Sequence, residues 1–285
     1  MAAPAPQPAA APPPAPQPGP AGARTARRVK FGHVLSAEWT KIRTVKSTFW
    51  TLLAGAVVLI GFSALWALAF SASYDEMSAG DRASFTPMLP TQVAFYFGMV
   101  IFGALGVLVI TSEHATGMIR TALTAVPRRA HYLAAKTTVL GTVVLLVGLV
   151  VSFACFYAAQ AILATKDLDG SLGDPGMLRS VGGGGLYLAL IAVLALAIGT
   201  LLRHTAGSIV VVFVVMFVLG IVGGFLPGSW GEKVNEFLPS NAGGAILSPV
   251  RQSGELAPWT GLGLFAVYTF VVLAAALVMF EKRDA

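Results

Sequence analysis

The stretch LYLALIAVLALAIGTLLRHTAGSIVVVFVVMFVLGIVGGF, from Leu186 to Phe225, decides the fold. It belongs to two apolar runs, placed at 181–202 and 205–226, which are parted only by Arg203, His204 and a few neighbours. A membrane helix needs about 20 apolar residues to cross roughly 30 Å of hydrocarbon, and both runs qualify. The short break makes the pair a tight helical hairpin. Continuous rather than alternating runs exclude a closed β-barrel. Four more such runs lie near 49–70, 91–112, 137–163 and 259–280, and none of the six has Asp, Glu, Lys, Arg or His in its interior. The expected fold class is all-α integral membrane, with six transmembrane helices.

Composition excludes the alternatives. Of 285 residues, 56% are hydrophobic and 11% charged, well under the charged share of about 25% in soluble domains. A soluble fold of this size cannot hide so much apolar surface, and a disordered chain needs low hydrophobicity. The net charge of +6 sits in short segments between apolar blocks, not on the basic soluble face that nucleic acid requires. A lone Cys155 leaves no internal disulfide and no multi-cysteine metal site.

Basic residues set the orientation. With the N-terminus inside, the inner segments hold fourteen: Arg24, Arg27, Arg28, Lys30, Lys41, Arg43, Lys46, Arg120, Arg128, Arg129, Lys136, Arg203, Lys282 and Arg283. The outer segments hold five: Arg82, Lys166, Arg179, Lys233 and Arg251. The positive-inside rule then puts both termini in the cytoplasm; the expected location is the plasma (inner) membrane. Residues 1–23 carry no charge and are mostly Ala, Pro, Gln and Gly. They read as a solvated tail with polyproline character, not a signal peptide. The expected division is a disordered cytoplasmic tail over 1–30 and a membrane domain over 31–285.

Catalytic patterns are missing from the sequence. There is no GxxxxGK[ST] loop; Gly182–Gly185 has no following Lys and reads as a flexible start to an apolar helix. No HExxH occurs, and His33, His114, His131 and His204 are scattered at membrane edges, an unpromising set for a metal. No catalytic, cofactor-binding or metal-binding residue is expected. Proton-driven carriers usually place Asp, Glu or His inside the membrane; without such groups, energy for uphill transport must come from elsewhere.

Three segments outside the spans stand out. Residues 31–47, FGHVLSAEWTKIRTVKS, gather Phe31, Val34, Leu35, Ile42 and Val45 on one helical face, with Trp39 at its edge. That is an amphipathic interfacial helix. Glu38 falls in the middle of the apolar face, so either the helix rotates it to water or a basic residue of a neighbouring inner loop pairs with it. Between the second and third spans, Ala115, Met118, Ile119, Ala122, Leu123 and Val126 make one helical stripe that Pro127 ends, and a second short helix follows through Tyr132 and Leu133. Its stripe can rest on lipid or fill a groove on a cytosolic protein. Pro227–Pro258 is long for a connection, and its short apolar pieces suit either an exposed loop or partial re-entry into the outer leaflet.

These segments resemble the permease subunit of type-2 ABC exporters, the ABC-2 membrane family, in its actinobacterial form. The resemblance rests on AEWTKIRTVKSTFW (37–50), on Glu113, Gly117, Leu123, Pro127, Arg128 and Lys136 matching an E…G…L…P…R…K pattern, and on FLPSNAGGAI (237–246). With six spans, the likeness covers roughly residues 31–283.

The resemblance implies a cytoplasmic coupling helix after the second span. Glu113, Gly117, Met118, Ile119, Arg120, Leu123, Pro127 and Arg128 would then meet an ABC ATP-binding subunit. The interfacial helix, with Glu38, Trp39, Lys41 and Arg43, would touch the same partner through Lys41 and Arg43. Pro239, Ser240, Asn241 and Gly243 would belong to an outer re-entrant piece capping the exit path. ATP and Mg would sit on the partner subunit, and a second copy or related permease would complete the transporter in the lipid bilayer. Two other readings stay open: a non-transporting membrane anchor or assembly protein, and a membrane-embedded enzyme.

Overall fold

The computed structural model describes residues 30–126, 128–251 and 254–282. The tail over 1–29, Arg283 and Pro127 lie outside the described residues. Among the described residues the chain is helical, with no strand.

Helix α1 (Phe31–Thr44) ends at Val45, an extended residue that redirects the chain into α2 (Lys46–Ser73). Lys41 and Arg43 occupy its last turn, where cations complement the helix dipole. A short α3 (Ala79–Ser84) precedes α4 (Leu89–Ala115), and α5 (Met118–Ala125) follows. Next come α6 (Arg129–Leu163) and α7 (Met177–Leu202). The fifth span comprises α8 (Thr205–Phe213), a π-helical turn over Val214–Val218 and α9 (Leu219–Gly224). The chain then forms α10 (Gly228–Phe237), α11 (Pro239–Gly244) and α12 (Pro258–Lys282).

Six of these segments are long and apolar enough to cross a membrane. They coincide with the six expected runs but reach further at most ends, because polar and basic residues outside an apolar window still propagate a helix. The clearest difference is α6. The expected short helix through Tyr132 is the first part of one continuous helix of 35 residues. That is about 52 Å long at 1.5 Å per residue, so its first turns extend well beyond a hydrocarbon core of about 30 Å.

The most buried span, α7, is packed by α4, α6, α8 and α12, while α2 lies against α4 and α6. Lipid tails offer no hydrophobic drive, so close approach depends on small residues. A Cβ on Gly106 of α4 would fall 2.2 Å from the Ala192 carbonyl oxygen of α7. Only glycine permits that crossing. Gly182–Gly185 is likewise no flexible start. It lies inside α7, where a Cβ on Gly184 or Gly185 would collide with Phe95 or Leu149. Hydroxyls that enter the core also link spans: the Ser63 hydroxyl donates to the Cys155 carbonyl, and the Ser152 hydroxyl to the Val181 carbonyl.

Candidate functional site

The basic end of the bundle is built where α1 crosses the projecting start of α6. Tyr132 and Lys136 are i and i+4 on α6 and so share one face, against which α1 lays Val34 and Glu38. The Lys136 ammonium donates to Glu38 Oε2 at 2.7 Å and to Glu113 Oε1 at 2.9 Å. Lys41 Nζ donates to Glu38 Oε1 at 2.6 Å and to Glu113 Oε1 at 3.0 Å. The Tyr132 hydroxyl donates to Glu113 Oε2. Both ammonium groups lie 5.3 Å from the Tyr132 ring centroid, within cation–π range. That ring also stacks on Phe280 of α12.

Two carboxylates and two ammonium groups thus form a neutral cluster joining α1, α4 and α6. Glu38, Glu113 and Lys136 are buried, and Lys41 is at its solvent edge. Burial pushes the Lys41 pKa down, but the Glu38 hydrogen bond and the Glu113 and Glu38 charges outweigh it, leaving the pKa raised. Of the two positions open to Glu38, the molecule takes the buried, paired one. Its partners are Lys136 on a span and Lys41 on its own helix. Desolvating four charges is costly, and their geometry offsets this only while every partner is present.

The cluster fixes the end of α4, and with it α5. Gly117 takes φ +70° between the two helices, a conformation that strains residues with a Cβ. Four of the six stripe residues then turn inward, while Ala115 and Met118 stay exposed. Ile119 is buried, and Ala122, Leu123 and Val126 pack against the main core. The outward face presents Met118, Arg120, Thr121 and Thr124, with Arg128 exposed beyond it. Ile119, Ala122, Leu123 and Val126 of the stripe therefore pack on the chain itself. Glu113 and Ile119 point into the fold and Lys41 is engaged by the cluster, whereas Trp39, Arg43, Met118, Arg120 and Arg128 remain exposed.

Tyr132 and Lys136 are the residues the sequence reading did not assign to this site. Lys136 closes the E…K pattern, but nothing local to it marks its pairing with Glu38, 98 residues away.

At the acidic end, α10 and α11 fold back into the bundle. Asn241 Nδ2 donates to the Asn235 backbone oxygen and Oδ1, both at 2.8 Å, clamping the two short helices together. A Cβ on Gly243 would fall 2.5 Å from Tyr187 and 2.9 Å from Phe265. Tyr187 lies ten residues into α7, about 15 Å along its axis. Pro239 opens α11, and Ser240 is buried beside Tyr187, whose hydroxyl donates to the Ser240 carbonyl at 3.4 Å. The four expected residues of this segment are therefore together, on an element that reaches into the bundle.

No curated protein matches the chain. The family model described as ABC-2 family transporter protein matches residues 34–220, from α1 into the fifth span. The matched stretch contains the buried cluster and α5; the segment at 237–246 lies beyond it. With six membrane-spanning helices in place, the chain belongs to the ABC-2 transporter family, as a multi-pass membrane permease of an ABC system.

Proposed function

We propose that this permease forms the translocation path of an ATP-driven exporter in the plasma membrane. Its basic end faces the cytoplasm, and both termini lie there. The outward face of α5, with Met118 and Arg120, and the exposed Arg128 and Arg43 dock a separate ATP-binding subunit that carries ATP and Mg. A second copy or a related permease completes the path.

The observation that carries this reading is the buried cluster of Glu38, Lys41, Glu113 and Lys136. It makes α1, the end of α4 and the start of α6 one mechanical unit. A short helix seated on such a unit passes displacement to spans instead of absorbing it. Closure of an ATPase dimer against α5 would tilt α4 and α6 together, and α7 packed between them would follow. The spans' own interiors offer no ionisable group to harness a proton gradient.

The test is co-expression with the candidate ATP-binding subunit, read by co-purification and ATPase rate. The wild-type chain is expected to retain the subunit, and Met118→Asp with Arg120→Glu to lose it while staying folded. Equal retention by the variant would remove the docking role of α5. Retention with an ATPase rate that no cargo alters would favour the anchor reading.

A further inference from the structure

The acidic end carries a cavity of about 420 Å³ between the start of α4 and the re-entrant helices. Leu89, Gln92, Tyr96 and Met99 form its α4 wall, at helical spacing. Opposite stand Asn235, Glu236, Ser240, Asn241 and Glu255. Met99 also lines a second, wholly apolar cavity of about 160 Å³, bounded by Val212, Met216 and Phe217 at the π-helical turn. A polar chamber and an apolar slot between α4 and the fifth span thus share Met99 as a common wall.

The polar chamber is rich in acceptors. Gln92 spends its Nε2 donor on the Leu247 carbonyl at 2.8 Å, and Asn241 spends Nδ2 on Asn235. What each amide can still offer is its carbonyl oxygen. Glu236 and Glu255 add carboxylates, and among the described residues no Lys or Arg lines the chamber. Two cations brace the chamber wall from behind its lining: Arg179 donates to the Ser248 and Pro249 carbonyls, and Arg251 Nε to the Glu255 carbonyl. Ser240 Oγ, buried in the chamber wall, has no hydrogen-bond partner, a costly state that a ligand can relieve.

We infer that this paired cavity binds a cationic amphiphile, with an ammonium head among Glu236, Glu255, Gln92 and Asn241 and an apolar chain past Met99 into the slot. An ammonium group supplies donors only, matching the Glu236 carboxylate and the Gln92 and Asn241 carbonyl oxygens, and its charge is strongest against carboxylates in a partly desolvated chamber. The inference names a cargo class for the proposed exporter and rests on that reading.

The test uses the full-length permease alone in phosphatidylcholine nanodiscs, with empty nanodiscs as the background. Radiolabelled dodecylammonium is compared with butylammonium, N-acetyl-dodecylamine and dodecanoate. Saturable binding of dodecylammonium is expected, at least tenfold tighter than either uncharged or anionic analogue and tighter than the short-chain amine. Glu236→Gln should weaken it roughly tenfold, and the double variant with Glu255→Gln further. Equal binding of the acetylated probe to wild type, absence of saturable binding, or wild-type affinity in the double variant would overturn the inference. Because no ATPase is present, this outcome is independent of whether α5 docks one.

Discussion

The Lys136 ammonium lies 2.7 Å from the Glu38 carboxylate, with both side chains buried. That contact holds an interfacial helix against the third span, and Glu113 brings the second span into the same cluster. The permease therefore has a charged joint at its basic end, while its spans meet elsewhere through small residues and apolar packing.

Removing one member of the joint strands the others. Lys136→Met leaves Glu38 and Glu113 sharing only Lys41, and should destabilise the chain by about 3–5 kcal/mol. The double variant with Glu38→Gln should lose less than the sum of the singles, with a coupling of about 0.5–3 kcal/mol. Thermal unfolding in detergent checks both; additive losses would mean that the pair does not act as a unit.

Lys41 gives a pH signature. Its pKa is raised above 10.5 by its two carboxylate partners despite burial. A raised folded pKa contributes stability that is complete below the unfolded value and lost as pH rises through the folded one. The stability difference between wild type and Lys41→Met should accordingly stay constant through neutral pH and shrink only above about 10.5. A difference already fading near neutral pH would contradict the pairing.

Neighbouring residues on α5 should behave oppositely. Ile119→Asp places a charge in the core and should prevent folding or cost several kcal/mol. Met118→Asp, on the exposed face, should change stability by no more than about 0.5 kcal/mol. Size-exclusion profiles and thermal midpoints distinguish them, and similar damage from both would mean that the helix is turned differently.

Gly243 is a tight point of the re-entrant segment. Gly243→Ala drives a Cβ toward Tyr187 and Phe265 and should cost about 1–3 kcal/mol. Retention of the ATP-binding subunit should be unaffected, since the change lies at the opposite end. Loss of that subunit together with the destabilisation would show that the two ends do not act separately.

The fold was largely legible because six apolar runs with no interior charge leave a chain few options. The limits of α6 were not, since apolarity marks the membrane and not the helix; Arg129 to Lys136 continue the helix into a polar zone. The stripe on α5 was legible as a stripe but not its direction. Periodicity gives a face, and only tertiary packing shows that Ile119 and Leu123 use it on their own chain. Glu38 was recognisable as anomalous, yet its partner Lys136 is distant in sequence and no local pattern identifies it. The cavity at Gln92, Glu236 and Asn241 joins three separate elements and had no sequence signal.

The proposed contact between the outward face of α5 and an ATP-binding subunit can be read by site-specific photocrosslinking. A photoreactive residue at Met118 or Arg120 is expected to crosslink the co-expressed subunit, while one at Trp230, exposed at the acidic end, is not. Crosslinking from Trp230 with none from Met118 or Arg120 would mean that α5 is not the docking helix.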